Sequence, residues 1–170
     1  MKIGVLSDTH DNIYALHKIL NEFRMHEVSI VIHLGDLISP FTLRELLQYP
    51  TRVMIILGNN DGDKLLLREI AIKAGATVRD SIHELSICGR HVIAFHGWNT
   101  KEFTKRIALA FAKSGFYDIV LYGHTHELSI EYIDGKLVAN PGEACGYLTG
   151  RKTALVIDVE KLTYEIIEVT

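Results

Sequence analysis

A chain of 170 residues, 48% hydrophobic with a formal net charge of −3, has the size and balance of one domain with a real buried core. The acidic balance excludes a broad basic face for nucleic acid or an anionic membrane. No apolar run approaches the roughly 18 residues of a membrane span, and Cys88 and Cys145, far apart, offer neither a disulfide framework nor a thiolate zinc site. We read residues 1–170 as one domain and both cysteines as small buried residues. Because the apolar run Ile3 to Leu6 is too short for a signal-peptide core, a cytoplasmic location is expected.

In chain order, Lys2 to Ser7 reads as a buried strand. Asn12 to His26 follows as a helix, with Ile13, Leu16, Ile19, Leu20 and Phe23 at helical spacing. Val28 to His33 is a second strand, and Ser39-Pro40 opens a helix whose inner face is Leu43, Leu46 and Leu47. Arg52 to Leu57 is a third strand, Lys64 to Lys73 a helix ended by Gly75, and Val78 to Ile87 one or two short strands before His91 to Phe95. Asn99 and Glu102 resemble a capping box for a helix that ends near Ser114-Gly115, ahead of the strand Asp118 to Tyr122.

The pattern then becomes more antiparallel. Glu127 to Ile133, Asp134-Gly135 and Lys136 to Ala139 read as a hairpin with a primed turn, and Thr153 to Asp158 with Thr163 to Val169 as another strand pair. Asn140 to Gly150 is the longest irregular segment. The fold class is α/β with α+β character in its second half, a sandwich with helices outside two packed sheets.

Five apolar runs each end in a candidate ligand. Ile3 to Leu6 leads to Asp8 and His10, Ile30 to Leu34 to Asp36, Val53 to Leu57 to Asn59, Val92 to Phe95 to His96, and Ile119 to Tyr122 to His124 and His126. Ligands of α/β sheets bind beyond the carboxyl ends of the strands, where side chains of separate strands converge. An extended backbone through Gly123-His124-Thr125-His126 would project both imidazoles to one side. Two Asp, four His and one Asn form a nitrogen and oxygen set suited to Mn, Fe, Co, Ni or Zn. Seven ligands suit two ions that share a bridging carboxylate, the arrangement that clamps the attacking and leaving oxygens of phosphoryl displacement. Such a centre stays net positive and attracts a phosphate anion to an acidic protein.

Asp8-x-His10, Gly35-Asp36, Gly58-Asn59, His96-Gly97 and Gly123-His124-Thr125-His126, in this order, resemble the signature blocks of the calcineurin-like metallophosphoesterase superfamily. The short chain without a cap is similar to that family's small single-domain phosphodiesterase branch of bacteria and archaea. The resemblance implies a four-layer αββα sandwich of two mixed β-sheets flanked by helices. It implies that Asp8, His10 and His126 hold one divalent ion, that Asn59, His96 and His124 hold a second, and that Asp36 bridges them. The implied cofactors are two divalent transition ions, manganese foremost, with nickel, iron, cobalt and zinc compatible. The implied reaction is hydrolysis of a small phosphodiester by a metal-bridging hydroxide.

Asn140-Pro141-Gly142 resembles a further block of that branch, without a catalytic role. Asp11 and Asn12 are read either as orienting substrate or as the cap of the first helix. His33 is read as packing within its strand.

One position departs from the family. A histidine commonly follows the metal-binding asparagine and serves the leaving group, and here Asn60 stands there. An amide donates a hydrogen bond but cannot surrender a proton at neutral pH. Either activity is confined to good leaving groups, or Asp61 and bound water partly substitute.

The alternatives are a metal-dependent nuclease or phosphomonoesterase, and a non-catalytic scaffold like the retromer subunit of the same fold. The seven filled ligand positions favour the enzyme. A nuclease needs a basic track, and Lys64, Arg68, Lys101, Lys105 and Arg106 are scattered in sequence. No membrane partner is expected, and a homo-oligomer is compatible with the chain.

Overall fold

The computed structural model describes residues 1–170. Its eleven strands and four helices run β1 (Lys2–Leu6), α1 (Ile13–Met25), β2 (Ile30–His33), α2 (Pro40–Leu46), β3 (Arg52–Ile56), α3 (Lys64–Lys73), β4 (Thr77–Arg79) and β5 (Ile82–Ile87). They continue with β6 (Arg90–Phe95), α4 (Lys101–Lys113), β7 (Ile119–Tyr122), β8 (Leu128–Ile133), β9 (Lys136–Pro141), β10 (Lys152–Asp158) and β11 (Thr163–Val169). One sheet has the order β11-β10-β1-β2-β3-β4, the other β5-β6-β7-β9-β8. Both are mixed. Strands β1 to β4 pair in parallel while β10 and β11 join antiparallel, and β6, β7 and β9 pair in parallel between antiparallel β5 and β8.

Continuous apolar runs are explained by strands that face two interiors, because successive side chains point to opposite faces. Ile3 and Val5 of β1, Ile30 and Ile32 of β2, Met54 and Ile56 of β3 meet Val92, Ala94, Ile119, Leu121, Leu137 and Ala139 of the facing sheet. The alternate residues Leu6, Val31, Val53 and Ile55 turn outward, onto Leu16, Phe23, Leu43 and Leu67 of α1, α2 and α3. Ile93, Phe95, Val120 and Tyr122 likewise turn from the second sheet onto Ala108 and Ala112 of α4. Three interiors between four layers give the αββα sandwich. Gly4 marks the tightest approach of α1, since a Cβ there would lie 2.6 Å from the Phe23 ring.

Local chemistry sets the boundaries. Asn12 caps α1 by accepting from Ala15 N–H, and Asp63 caps α3 by accepting from Leu66 N–H. Asp134 and Gly135, at φ of 49° and 76°, make the primed hairpin turn between β8 and β9. The capping box expected at Asn99 is displaced: Thr100 is the cap, its hydroxyl accepting from Phe103 N–H, and Glu102 stands in the first turn. Asn99 and Thr100 are both good caps, and Asn99 is held elsewhere at φ 59°. Asn140 and Pro141, expected in irregular chain, belong to β9. Of the two cysteines, Cys145 is buried but Cys88 is exposed in the turn before β6. No helix is long and apolar enough to cross a membrane.

Candidate metal centre

The carboxyl ends of β1, β2 and β3 in one sheet and of β6 and β7 in the other open onto one edge of the sandwich. The turns beyond them are tied to each other. Asp8 N–H donates to Gly35 O at 2.9 Å and His10 N–H to Asp36 O at 3.0 Å. Asp61, nearly buried, accepts from Gly58 N–H (2.6 Å), Ile38 N–H (2.8 Å) and Asp36 N–H (3.2 Å). Its oxygens are spent on the backbone, so Asp61 does not stand in for a missing acid, contrary to the alternative raised by the sequence.

His33 is buried behind the same turn. Its Nδ1 accepts from Gly35 N–H and its Nε2 meets Thr9 Oγ1 at 2.7 Å, while burial pushes its imidazolium down to about 4. It is a neutral strut. Gly58 is required by proximity, since a Cβ would lie 2.2 Å from Asp36 Oδ1, and at Gly123 one would lie 2.1 Å from Ser7 Oγ.

The backbone that presents the candidate ligands is not extended. Asp8, His10, Asp36, His124 and His126 have φ of 54°, 42°, 56°, 67° and 61°, in the left-handed region that non-glycine residues enter at a cost of order 1–3 kcal/mol each. The expected extended presentation of His124 and His126 is therefore replaced by two left-handed kinks after β7. Asn140 holds this turn, its amide donating to Gly123 O and Thr125 Oγ1 at 3.0 Å each and its oxygen accepting from Gly142 N–H. That gives the Asn140-Pro141-Gly142 block a structural task.

Seven side chains converge. Asp8 Oδ1 lies 3.4 Å from His126 Nε2, and His10 groups with both. Asn59 Oδ1 lies 3.0 Å from His96 Nε2 and 2.9 Å from His124 Nδ1. Asp36 Oδ2 sits between the clusters, 3.6 Å from His10 Nε2 and 3.4 Å from His96 Nε2. An ion with ligands at about 2.0–2.2 Å sets neighbouring ligands about 3.0–3.5 Å apart, close to these spacings.

Three observations test the fit to cations. Asp8 Oδ1 and His10 Nε2 are buried without a hydrogen-bond partner. Each of three rings commits one nitrogen behind it: His96 Nδ1 to Leu34 O at 2.7 Å, His124 Nε2 to Asn99 O at 2.9 Å, and His126 Nδ1 to Glu143 Oε2 at 2.7 Å. Without a proton, the free nitrogens point lone pairs inward, which repel unless a cation lies between them. Titration directions agree. Burial raises the Asp8 carboxyl above its ordinary range, against the opposing charges of His96 and His126. Burial disfavours the His96 imidazolium, but its hydrogen bond to Asp36 and the charges of Asp8 and Asp36 outweigh this and raise its pKa. At Asp36, burial is outweighed by the hydrogen bond and charge of His96 and by Asn60, and the carboxyl is held well below the usual range. The site calls for positive charge.

Asn60 faces inward. Its N–H and Nδ2 donate to Asp36 Oδ1 and Oδ2 at 2.8 and 2.7 Å, so the residue in the position of the family's histidine orients the central carboxylate. Asn12 serves as helix cap and donates to Cys145 O, and Asp11 accepts from Ser39 and Thr42. His17 and His26 lie on outer surfaces against Glu45 and Glu165.

Glu143 was not singled out by sequence. It is fully buried and collects His126 Nδ1, Cys145 Sγ, Leu148 N–H, Thr149 N–H and Thr149 Oγ1. Burial opposes its charge, but these donors hold it down at about 2, while burial first and then Glu143 push the Cys145 thiol up to about 12. Glu143 is an anion behind His126, and Cys145 a protonated donor to it.

The model of the calcineurin-like phosphoesterase superfamily domain matches residues 1–162. A phosphodiesterase of Methanocaldococcus jannaschii is 38% identical over 165 residues, 96% of each chain. The structure of an archaeal phosphodiesterase superposes with a TM-score of 0.91 at 37% identity, covering 99% of this chain and 100% of the other. Vps29 of Chaetomium thermophilum gives a TM-score of 0.71 at 18% identity over 99% and 96% of the two chains, a likeness of fold alone.

Proposed function

We propose that this chain, which belongs to the calcineurin-like phosphoesterase superfamily, is a phosphodiesterase that uses two divalent ions, one held by Asp8, His10 and His126, the other by Asn59, His96 and His124, with Asp36 shared. The carrying observation is the placement of Asp36 Oδ2 between His10 and His96, within 3.6 Å of both. Two ions, when bound, supply Lewis acidity that activates water and neutralises phosphoryl oxygens. The chain's own part is to fix them: Leu34 O, Asn99 O and Glu143 set which nitrogen each ring presents, and Asn60 fixes the plane of the Asp36 carboxylate. Nitrogen and oxygen donors without thiolate favour manganese, with nickel, iron, cobalt and zinc as competitors.

Three of the five basic residues considered for a nuclease track are held in ion pairs. Lys101 and Lys105 both pair with Glu127 and Arg68 pairs with Asp80, which favours a small diester over a polymer. A monoester with an alkyl leaving group is disfavoured because Asn60 has no proton to give. Metal-stripped protein should take up two ions per chain and then hydrolyse aryl phosphodiesters. Saturation at one ion would overturn the two-ion reading, and binding of two without hydrolysis of any diester would favour the scaffold.

The absent acid gives a sharper test. The rate should fall steeply as the leaving group becomes more basic, and Asn60→His should flatten that dependence. The gain should be small for aryl esters and reach about 10²–10⁴-fold for alkyl ones. The measured quantity is the slope of log kcat/KM against leaving-group pKa at matched metal content. Equal slopes would show that Asn60 does not limit the substrate range.

A further inference from the structure

Resting on that reading, we infer that the cleft beside the Asn59, His96 and His124 cluster is a subsite for a planar aromatic group carried on one ester oxygen of the substrate, with Trp98 as its stacking surface. The cleft has a volume of about 190 Å³, and the polar and aromatic side chains that border it are Asn59, Lys64, Asp80, Ser81, His96 and Trp98. It shares two side chains with the ligand cluster, so a phosphate at the ions directs one substituent into it. Drug-sized ligands fill pockets of about 300–1,000 Å³, so this volume suits one ring system rather than an extended chain.

Trp98 is the only tryptophan of the chain. One face of its indole lies nearly parallel to the buried Phe95 ring, at 8° and 5.4 Å between centroids, yet the residue remains 38% exposed. Its backbone is clamped by Thr104, whose Oγ1 accepts from Trp98 N–H at 3.0 Å and donates to Trp98 O at 2.8 Å. A rigid indole with one face on the core and the rest open loses little entropy when a ring stacks on it. Across the cleft Lys64 Nζ is held by Gly58 O at 2.6 Å, a carbonyl rather than a carboxylate, while the Asp80 carboxylate on the same cleft is paired with Arg68 at 2.9 Å, so the Lys64 charge is left to act on an anionic ester. Other exposed aromatic side chains, such as Tyr14 and Phe41, are not among the residues bordering this cleft.

The test uses the whole chain loaded with zinc, which does not quench fluorescence as manganese does. Three non-hydrolysable probes are titrated, methylphosphinates in which a methylene replaces the ester oxygen: a phenyl probe, a cyclohexyl probe and a 5′-adenosine probe. The phenyl or the adenosine probe should change the Trp98 fluorescence and bind about tenfold tighter than the cyclohexyl probe, as stacking on an aromatic side chain predicts. Response to the phenyl probe alone assigns the subsite to an aryl ester, and to the adenosine probe alone to a nucleoside ester. By calorimetry, Trp98→Ala should erase the preference for the ring and Trp98→Phe should keep most of it. Equal binding of phenyl, adenosine and cyclohexyl probes with unchanged fluorescence would overturn the subsite while leaving the metal centre standing. Failure of every probe to bind, with no diester hydrolysed, would instead overturn the reading of the centre.

Discussion

Asp36→Asn is expected to lower the metal content below two ions per chain and to cut hydrolysis of an aryl phosphodiester by at least about 10³-fold. The substitution is nearly isosteric, so the effect is one of charge and of hydrogen-bond direction. Asp36 is the one carboxylate whose Oδ2 faces both His10 and His96, and it is buried, with its ionised form favoured by His96 and Asn60. An amide in its place removes the negative charge that both ions would share. It also sets an NH₂ group against an Asn60 donor, the backbone N–H at the Oδ1 position or Nδ2 at the Oδ2 position. Lewis-acid stabilisation is worth several kcal/mol, and about 1.4 kcal/mol is a factor of ten, so loss of one ion accounts for three orders of magnitude. Metal analysis after equilibration, thermal unfolding and kcat/KM are measured on the same sample. An unchanged unfolding midpoint in stripped protein shows an intact fold, and undiminished turnover there would place the chemistry elsewhere. Chelator should reproduce the loss in the parent protein, and added ions should reverse it.

Much of this centre was legible because its residues obey two simple regularities. Asp8, Asp36, Asn59, His96 and His124 each follow an apolar run, and such strands deliver side chains to one edge of a sandwich. Gly35, Gly58, Gly97 and Gly123 flank them because a Cβ at each would press on a neighbouring side chain of the same centre or the turn behind it. The central strands β1, β2, β3, β6 and β7 were legible as apolar runs, which is what facing two interiors requires.

The rest depended on contacts that sequence does not encode locally. Left-handed φ at five candidate ligands, all Asp or His and so among the non-glycine types that enter this region most readily, goes with ties between turns such as Asp8 to Gly35 and His10 to Asp36. Asp61 looked like a spare acid because it lies two residues after Asn59. Only the fold turns it inward onto Gly58, Ile38 and Asp36. Asn99 matched a cap, yet its carbonyl is taken by His124, and Thr100 does the capping. Glu143 stands in a glycine-rich segment without periodicity, and its partner His126 is 17 residues away.

Glu143→Gln is the second large effect. It should weaken uptake of one of the two ions by about 10–100-fold, the range for a partner that orients a metal-bound histidine, while leaving the other close to the parent value. Of the three rings anchored from behind, His96 and His124 lean on neutral carbonyls and His126 alone on a carboxylate. An anion behind the ring makes Nε2 a stronger ligand and adds negative charge to the Asp8, His10 and His126 side of the centre. That side should therefore fill first. Glutamine keeps the volume of the side chain but not its acceptors. All five groups around Glu143 are donors, so an NH₂ must face a donor, at about 1–3 kcal/mol. Calorimetric titration of stripped protein should show two separated steps in the parent and two merged steps in Glu143→Gln. Cys145→Ala, which removes a donor but no charge, should keep the steps apart and serves to separate loss of packing from loss of charge. Two steps unmoved in Glu143→Gln would show that the carboxylate braces the turn at Leu148 and Thr149 and does not tune the metal.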